Sequence, residues 1–348
     1  MVSGAFHVTR KELGILQPFA DDPEVNEIMV NGTESIFIEK NGKLELCKLK
    51  FETKEEIQEI IRRLAGKVHK EINELTPILD ARLEDGSRVH AVYSNVALNG
   101  PILSIRRFPE KNIKMEQLIE WGTISVEAAE FLRFAVISGY NIFISGGTSS
   151  GKTTFLNVLS DYIPKDERVI VIEDSAELQI KGIKNIVKLE TRQPNINGRG
   201  EVTIRDLIKS SIRMRPDRII VGEVRGDEGY DMIQAMNTGH DGSLSTGHGN
   251  SPSGMISRLE AMFLTAADFP VEAIRRQITE AIDLIVHMGR MPDKARKILE
   301  ISEITGIVNG SVQIVPLFYY QPKEGLKATR NRMQNISKSE MRGYSYYD

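Results

Sequence analysis

The chain has 348 residues, 41% of them hydrophobic and 27% charged, the proportions of a soluble globular protein long enough for two domains. Its formal net charge of −3 exerts no global pull on nucleic acid, and its one cysteine, Cys47, excludes an internal disulfide and a multi-cysteine zinc site. No run approaches the ~18 consecutive apolar residues of a membrane span, and the opening stretch MVSGAFHVTRKELG lacks the apolar core of a secretory signal.

Residues 24–49 alternate as strands do, and Asn41-Gly42 marks a two-residue hairpin turn. Residues 53–69 are predicted helical, with Ile57, Ile60, Ile61, Leu64 and Val68 on one face and Thr53 with Glu56 as a capping box. Short strands are expected over 79–83, 88–93 and 102–108, the first two joined by a turn at Asp85-Gly86. Pro109 and the polar residues as far as Lys114 read as a linker, and helices are expected over 115–121 and 125–139.

The stretch that governs the rest is NIFISGGTSSGKTT, residues 141–154. Ile142, Phe143 and Ile144 read as a buried strand, which breaks into Gly146, Gly147, Thr148, Ser149, Ser150 and Gly151, then Lys152, Thr153 and Thr154. This is the G-x-x-x-x-G-K-[ST] spacing of a phosphate-binding loop. Its glycines let successive N–H groups turn inward as a nest for phosphate oxygens, and the following helix adds its positive dipole end. Lys152 would then reach the β- and γ-phosphates of a nucleoside triphosphate, and the Thr153 hydroxyl would ligate Mg²⁺.

Beyond the loop, a strand over 168–174, a helix over 204–214 and a strand over 217–223 argue for a mostly parallel sheet covered by helices, an α/β fold. Residues 271–287 read as a further helix and 297–308 as paired strands. From Gln321 the tail is basic, with Lys323, Lys327, Arg330, Arg332, Lys338 and Arg342, and is expected to fray or to pack on a partner.

A phosphate loop alone leaves small-molecule kinases, GTPases and motor ATPases open. In RPDRIIVGEVRG a strand ends on Glu223, where a carboxylate could hold Mg²⁺ through water, while Asp217 stands at the wrong end of that strand. In RVIVIEDSAEL another strand ends on Glu173 and Asp174, with Glu177 following, either to polarise a water or simply to cap a helix start. Residues 237–252 carry His240 and His248 among glycines and hydroxyls; without further ligands at metal spacing they read as no zinc site, and His248 is the candidate sensor of a γ-phosphate.

The set GGTSSGKTT, VIEDSAELQ, RPDRIIVGEVRG and TGHDGSLSTGHGNSP resembles, in order, the Walker A, Asp, Walker B and His boxes of the type II/type IV secretion superfamily of secretion and pilus motor ATPases. Residues 87–108 and 269–287 are similar to its tight-adherence (Tad/Flp pilus, CpaF-like) branch, and the whole resemblance runs over about residues 21–320. It implies a ring-forming homohexamer of two-lobed subunits: a smaller, PAS-like N-terminal αβ domain (1–109), a hinge linker (110–114), a RecA-like P-loop ATPase domain (115–322) and a flexible basic tail (323–348). It also implies ATP and Mg²⁺ as cofactors, a cytoplasmic place at the inner face of a membrane and a platform protein there as partner, while the near-neutral charge speaks against a specific nucleic acid.

In that family the Asp-box glutamate is assigned to catalysis, which carries to Glu173 first and Glu177 second. Arginines of the N-terminal domain and linker reach a bound phosphate, which carries to Arg106 and Arg107; Arg213 and Arg225, flanking the Walker B strand, are weaker candidates to bind phosphate or a neighbouring subunit. Two departures stand out. Gly247 precedes His248 where relatives carry a larger apolar residue, so a looser sensor is expected, and the long N-terminal extension of the branch is almost absent. The rivals are a conjugative or competence DNA-transfer motor of the same superfamily, a P-loop small-molecule kinase, and a scaffold that binds ATP without turning it over.

Overall fold

The computed structural model describes residues 12–40, 43–83, 85–107, 113–194 and 198–346. The chain divides into two compact units, one ending at residue 112 and one beginning at 113. Of the linker expected over 110–114, residues 110–112 lie outside the described residues.

In the first unit, β1 (Val25–Asn31), β2 (Ser35–Lys40), β3 (Lys43–Leu46), β4 (Ile78–Arg82), β5 (Arg88–Val92) and β6 (Ile102–Arg106) form an antiparallel sheet in the order β3-β2-β1-β6-β5-β4. Alternation builds its buried face: Val30 of β1 lies opposite Ile36 of β2 and Leu103 of β6, all three fully buried. The short α1 (Gln17–Asp21) precedes the sheet, and α2 (Lys54–Lys67) contributes Ile57, Ile61 and Leu64 to the same core. Thr53 caps α2, its hydroxyl accepting the Glu56 N–H at 3.3 Å. Lys40 and Lys43 face each other across the β2–β3 hairpin, and the Asn41-Gly42 turn between them lies outside the described residues.

The second unit carries α3 (Met115–Glu120) and α4 (Val126–Ile137), then β7 (Ile142–Gly146), α5 (Lys152–Ser160), β8 (Arg168–Glu173) and β9 (Asn185–Glu190). There follow α6 (Ile204–Ser211), β10 (Arg218–Val224), α7 (Glu228–Asn237), β11 (Leu244–His248), α8 (Pro252–Ala266) and α9 (Val271–Ala281). It closes with β12 (Leu284–Arg290), β13 (Arg296–Val308), β14 (Ser311–Gln321), β15 (Gly325–Ala328) and α10 (Ser337–Met341). The nine strands form one sheet, β15-β14-β13-β12-β7-β11-β10-β8-β9. From β12 to β9 every pair is parallel, and from β12 to β15 every pair is antiparallel. Helices cover both faces, so β7, β8 and β10 are buried almost throughout, while the edge strand β9 carries exposed positions such as Asn185 and Glu190. On β7, Ile142 and Ile144 enter the core shared with α4 and α5, and Phe143 enters the opposite one, shared with α7, α8 and α9.

Three expectations change. The helix expected over 271–287 stops at Ala281; Ile282 is extended and β12 begins two residues later, because the buried run Leu284, Ile285, Val286 pairs with β7. Residues 297–308 belong to one long strand, β13, whose partner is β14. Over the described residues 321–346 the basic tail does not fray. β15 and α10 order it, Met333 is buried, Tyr346 packs on the rings of Phe131 and Phe134, and Lys338 bonds Asp283 at 2.7 Å and Asp241 at 2.8 Å. The physical reason is a pair of buried carboxylates, Asp283 and Glu303; Glu303 accepts the N–H groups of Gln334 and Asn335 at 2.8 and 2.7 Å.

Candidate nucleotide site

The phosphate loop joins the end of the central strand β7 to α5, at the carboxyl ends of the parallel strands where α/β sheets bind ligands. Gly146 is required by space: a Cβ there would lie 2.5 Å from the Met288 carbonyl oxygen and 2.6 Å from Ser150 Oγ. Ser150 Oγ is itself buried without a hydrogen-bond partner among the described residues, an orphaned hydroxyl inside the loop. Thr153 lies in the first turn of α5, one residue past Lys152, where the spacing expects it. A narrow cradle, an orphaned hydroxyl and a helix N-terminus together fit a phosphate group.

Lys152 is buried, and its Nζ donates to the carbonyls of Gly146 at 3.2 Å and Gly147 at 3.0 Å. Burial pulls its pKa below the ordinary lysine value, while Glu223 pushes the other way. Glu223 Oε1 lies 3.8 Å from that amine and 3.0 Å from His248 Nε2, and His248 Nδ1 lies 3.4 Å from Lys152 Nζ. The residues picked from the Walker A, Walker B and His boxes therefore meet.

How β10 presents Glu223 depends on residues that the motif does not flag. The β10–β11 ladder breaks between Val221 and Val224, and two side chains stand in for it. Ser245 Oγ donates to the Val221 carbonyl at 3.0 Å and Thr246 Oγ1 to the Gly222 carbonyl at 2.8 Å. The looser geometry expected from Gly247 is not found: a Cβ there would meet Phe143 and Met255 at 3.0 Å, so the glycine sits in a tight packing position. Asp217 accepts the Arg168 N–H at 2.6 Å at the opposite end of the strands.

In the Asp box, Glu173 is 4% exposed, and its Oε1 accepts the backbone N–H groups of Glu177 at 2.8 Å and Leu178 at 3.0 Å. Burial raises its pKa above the ordinary carboxyl value, against the pull of those two donors. Glu177 is half-buried. Arg225, a weaker candidate by sequence, grips Glu223 Oε2 through Nε at 2.8 Å and Nη2 at 2.6 Å. Arg213 is exposed on the single turn that follows α6. His240 is occupied locally, its Nδ1 3.0 Å from the Ala235 carbonyl.

Arg106 and Arg107 belong to the first unit. Arg107 donates to the Asp22 carbonyl, and Arg106 is exposed on β6 opposite Glu27 of β1. No group of three or more His, Cys, Asp or Glu fit to hold a metal occurs among the described residues. Beside the loop, a cavity of about 250 Å³ is lined by Thr154 and Phe155 of α5, by Ile113, Leu118 and Trp121, and by Met288 and Arg296.

The family model for type II/IV secretion system proteins matches residues 9–331. The chain belongs to that family. This family member is 33% identical over 296 residues to a conjugal transfer protein, TrbB, of Rhizobium radiobacter, covering 84% of this chain and 88% of that one. It is 30% identical over 300 residues to the type IV secretion system protein VirB11 of Brucella suis, covering 78% and 83%. An uncharacterised protein of Methanocaldococcus jannaschii is 42% identical over 249 residues, and the match spans only 34% of that longer protein. Among solved structures, the ATPase DotB of Legionella pneumophila matches at a TM-score of 0.58 with 21% identity, covering 82% and 78%. The pilus retraction motor PilT matches at 0.62 with 18% identity, covering 94% and 86%. These last two share the fold.

Proposed function

We propose that this secretion-family protein is an ATP hydrolase acting as a motor. The observation that carries the reading is the meeting of Lys152, Glu223 and His248 at a loop whose glycine cradle excludes a side chain. Lys152, released from the loop carbonyls, neutralises phosphate charge, and the backbone N–H groups of the loop and of α5 hold the phosphate oxygens. The donor set of one hydroxyl, Thr153, and one carboxylate, Glu223, suits Mg²⁺, which would neutralise the charge that develops on the phosphates. The apolar cavity beside Thr154 and Phe155 has the size and lining for a nucleobase.

Of the two Asp-box glutamates, Glu177 is the better candidate to orient the attacking water. We rank it so because Oε1 of the buried Glu173 already accepts two backbone N–H groups, one of them that of Glu177. Arg106 remains the candidate from the first unit to meet a phosphate, since Arg107 is tied to the Asp22 carbonyl. The assembly we propose is a homohexamer at the inner face of a membrane, working on a platform protein. Among the described residues no helix is long and apolar enough to cross a membrane.

The relatives, a conjugal transfer protein and a type IV secretion system protein, favour a motor of that kind over the tight-adherence pilus motor suggested by the sequence. The test is phosphate release from Mg-ATP, with and without DNA, alongside light-scattering mass with a non-hydrolysable analogue. Turnover in the wild type that Lys152→Ala abolishes supports the hydrolase. Turnover that survives in Lys152→Ala, or transfer of the phosphoryl group to a small acceptor by a monomer, would overturn it.

A further inference from the structure

We propose that Arg225 is a resident counter-cation, holding the Glu223 carboxylate until a divalent cation displaces it; this rests on the nucleotide reading above. Three groups face that carboxylate: His248 at 3.0 Å and the Lys152 amine at 3.8 Å from Oε1, and Arg225 on Oε2 through two nitrogens at 2.8 and 2.6 Å. Lys152 and His248 lie within the site and have other partners there. Arg225 enters from outside, with a side chain that is 62% exposed.

The anchoring of Arg225 suits a swinging arm. Its backbone N–H is bonded by Glu228 Oε1 at 2.6 Å, and the next N–H, of Gly226, by the same oxygen at 3.0 Å. The main chain is thus pinned while the guanidinium is in solvent on one side. A second berth is at hand: Asp174 Oδ2 lies 3.7 Å from Arg225 Nη1, and Asp174 is steadied by the Thr191 hydroxyl at 2.9 Å. A divalent cation drawn to Glu223 and a guanidinium on the same carboxylate repel each other at close range, so the binding of one weakens the other. Leaving Glu223, Arg225 keeps a carboxylate partner in the Asp box. The exchange couples occupancy at the Walker B strand to the Asp-box turn. Arg225 is a positioning residue in this account, acting through Glu223.

The test uses the full chain and a fluorescent adenosine diphosphate, with Mg²⁺ titrated from EDTA upward. In Arg225→Ala the Mg²⁺ concentration at half-effect should fall about two- to fivefold, the range of an exposed ion pair, while nucleotide affinity in EDTA stays put. Arg225→Lys, which keeps the charge and loses the two-point grip, should fall in between. An unchanged or higher Mg²⁺ requirement in Arg225→Ala overturns the proposal while leaving the nucleotide site intact. If that variant does not fold, an unchanged requirement in Arg225→Lys has the same meaning. Absence of nucleotide binding in the wild type overturns both this proposal and the reading beneath it.

Discussion

His248 Nε2 lies 3.0 Å from Glu223 Oε1, and the other side of the ring settles who donates. Lysine has only protons to give, so His248 Nδ1, 3.4 Å from Lys152 Nζ, is an acceptor and the ring proton sits on Nε2. Burial and the Lys152 charge hold the His248 pKa below its usual value, which keeps this neutral tautomer in place at neutral pH. The ring thus links the amine that should meet the γ-phosphate to the carboxylate that should face the metal. His248→Ala is expected to lower hydrolysis by about 10²-fold, the usual loss for one oriented donor, with nucleotide affinity nearly kept. Parallel turnover and nucleotide titrations check it, and equal loss in both would assign His248 to binding instead.

The two Asp-box glutamates separate by the same kind of measurement. An amide oxygen can accept both N–H groups that Glu173 holds, so Glu173→Gln should retain much of its activity, whereas Glu173→Ala should destabilise by about 1–3 kcal/mol by leaving buried donors unpaired. Glu177→Gln should fold and bind nucleotide normally yet hydrolyse it about 10²-fold more slowly. Turnover and urea unfolding of the three variants decide the matter. A Glu173→Gln variant that binds but does not turn over would return the catalytic role to Glu173.

The phosphate loop was readable because every part of it is local: strand, glycines, lysine and helix are contiguous in 141–154. The tail was not, because its partners Asp241, Asp283 and Glu303 lie far off in the sequence, and a run of lysines and arginines looks the same whether solvated or paired. β12 was hidden for another reason. Its apolar run follows α9 after two residues, and a short buried run has no periodicity to separate strand from helix. The break in the β10–β11 ladder rests on the side chains of Ser245 and Thr246, which read in sequence as loop residues. The backbone donors of Glu173 could not be read either, because the N–H groups of Glu177 and Leu178 turn back on it only through the loop that follows the strand.

Lys338 crosses from α10 to Asp283, which also accepts the Asn141 N–H at 2.7 Å just before β7. Burial pushes the Asp283 pKa up, and Lys338 works against that. Lys338→Met would leave the carboxylate buried and unpaired, a change that destabilises by about 3–5 kcal/mol where such pairs are broken. Lys338→Met with Asp283→Asn should recover much of the loss, because no uncompensated charge remains. Urea unfolding of both variants measures it. A loss below about 1 kcal/mol would mean that the tail is clamped elsewhere, for instance through the Arg342–Glu167 pair at 3.1 Å.

A pH effect on stability follows from His287, buried on β12 with Nδ1 2.8 Å from the Ser145 hydroxyl, one residue before the loop's first glycine. Burial alone holds its pKa below the ordinary value of 6.5. The unfolded chain takes up a proton near 6.5 and the folded chain only at lower pH, so between those values the unfolded state binds more protons. The contribution is complete above pH 6.5 and is lost as pH falls toward the folded value, by up to about 1.4 kcal/mol per pH unit. His287→Gln, which can still bond Ser145 and does not titrate, should flatten the fall in unfolding free energy as pH drops below 6.5. His248 shifts in the same direction and stays in both proteins, so its share cancels in the comparison. Identical slopes in urea unfolding of wild type and variant would place the acid sensitivity outside the strand beside the loop.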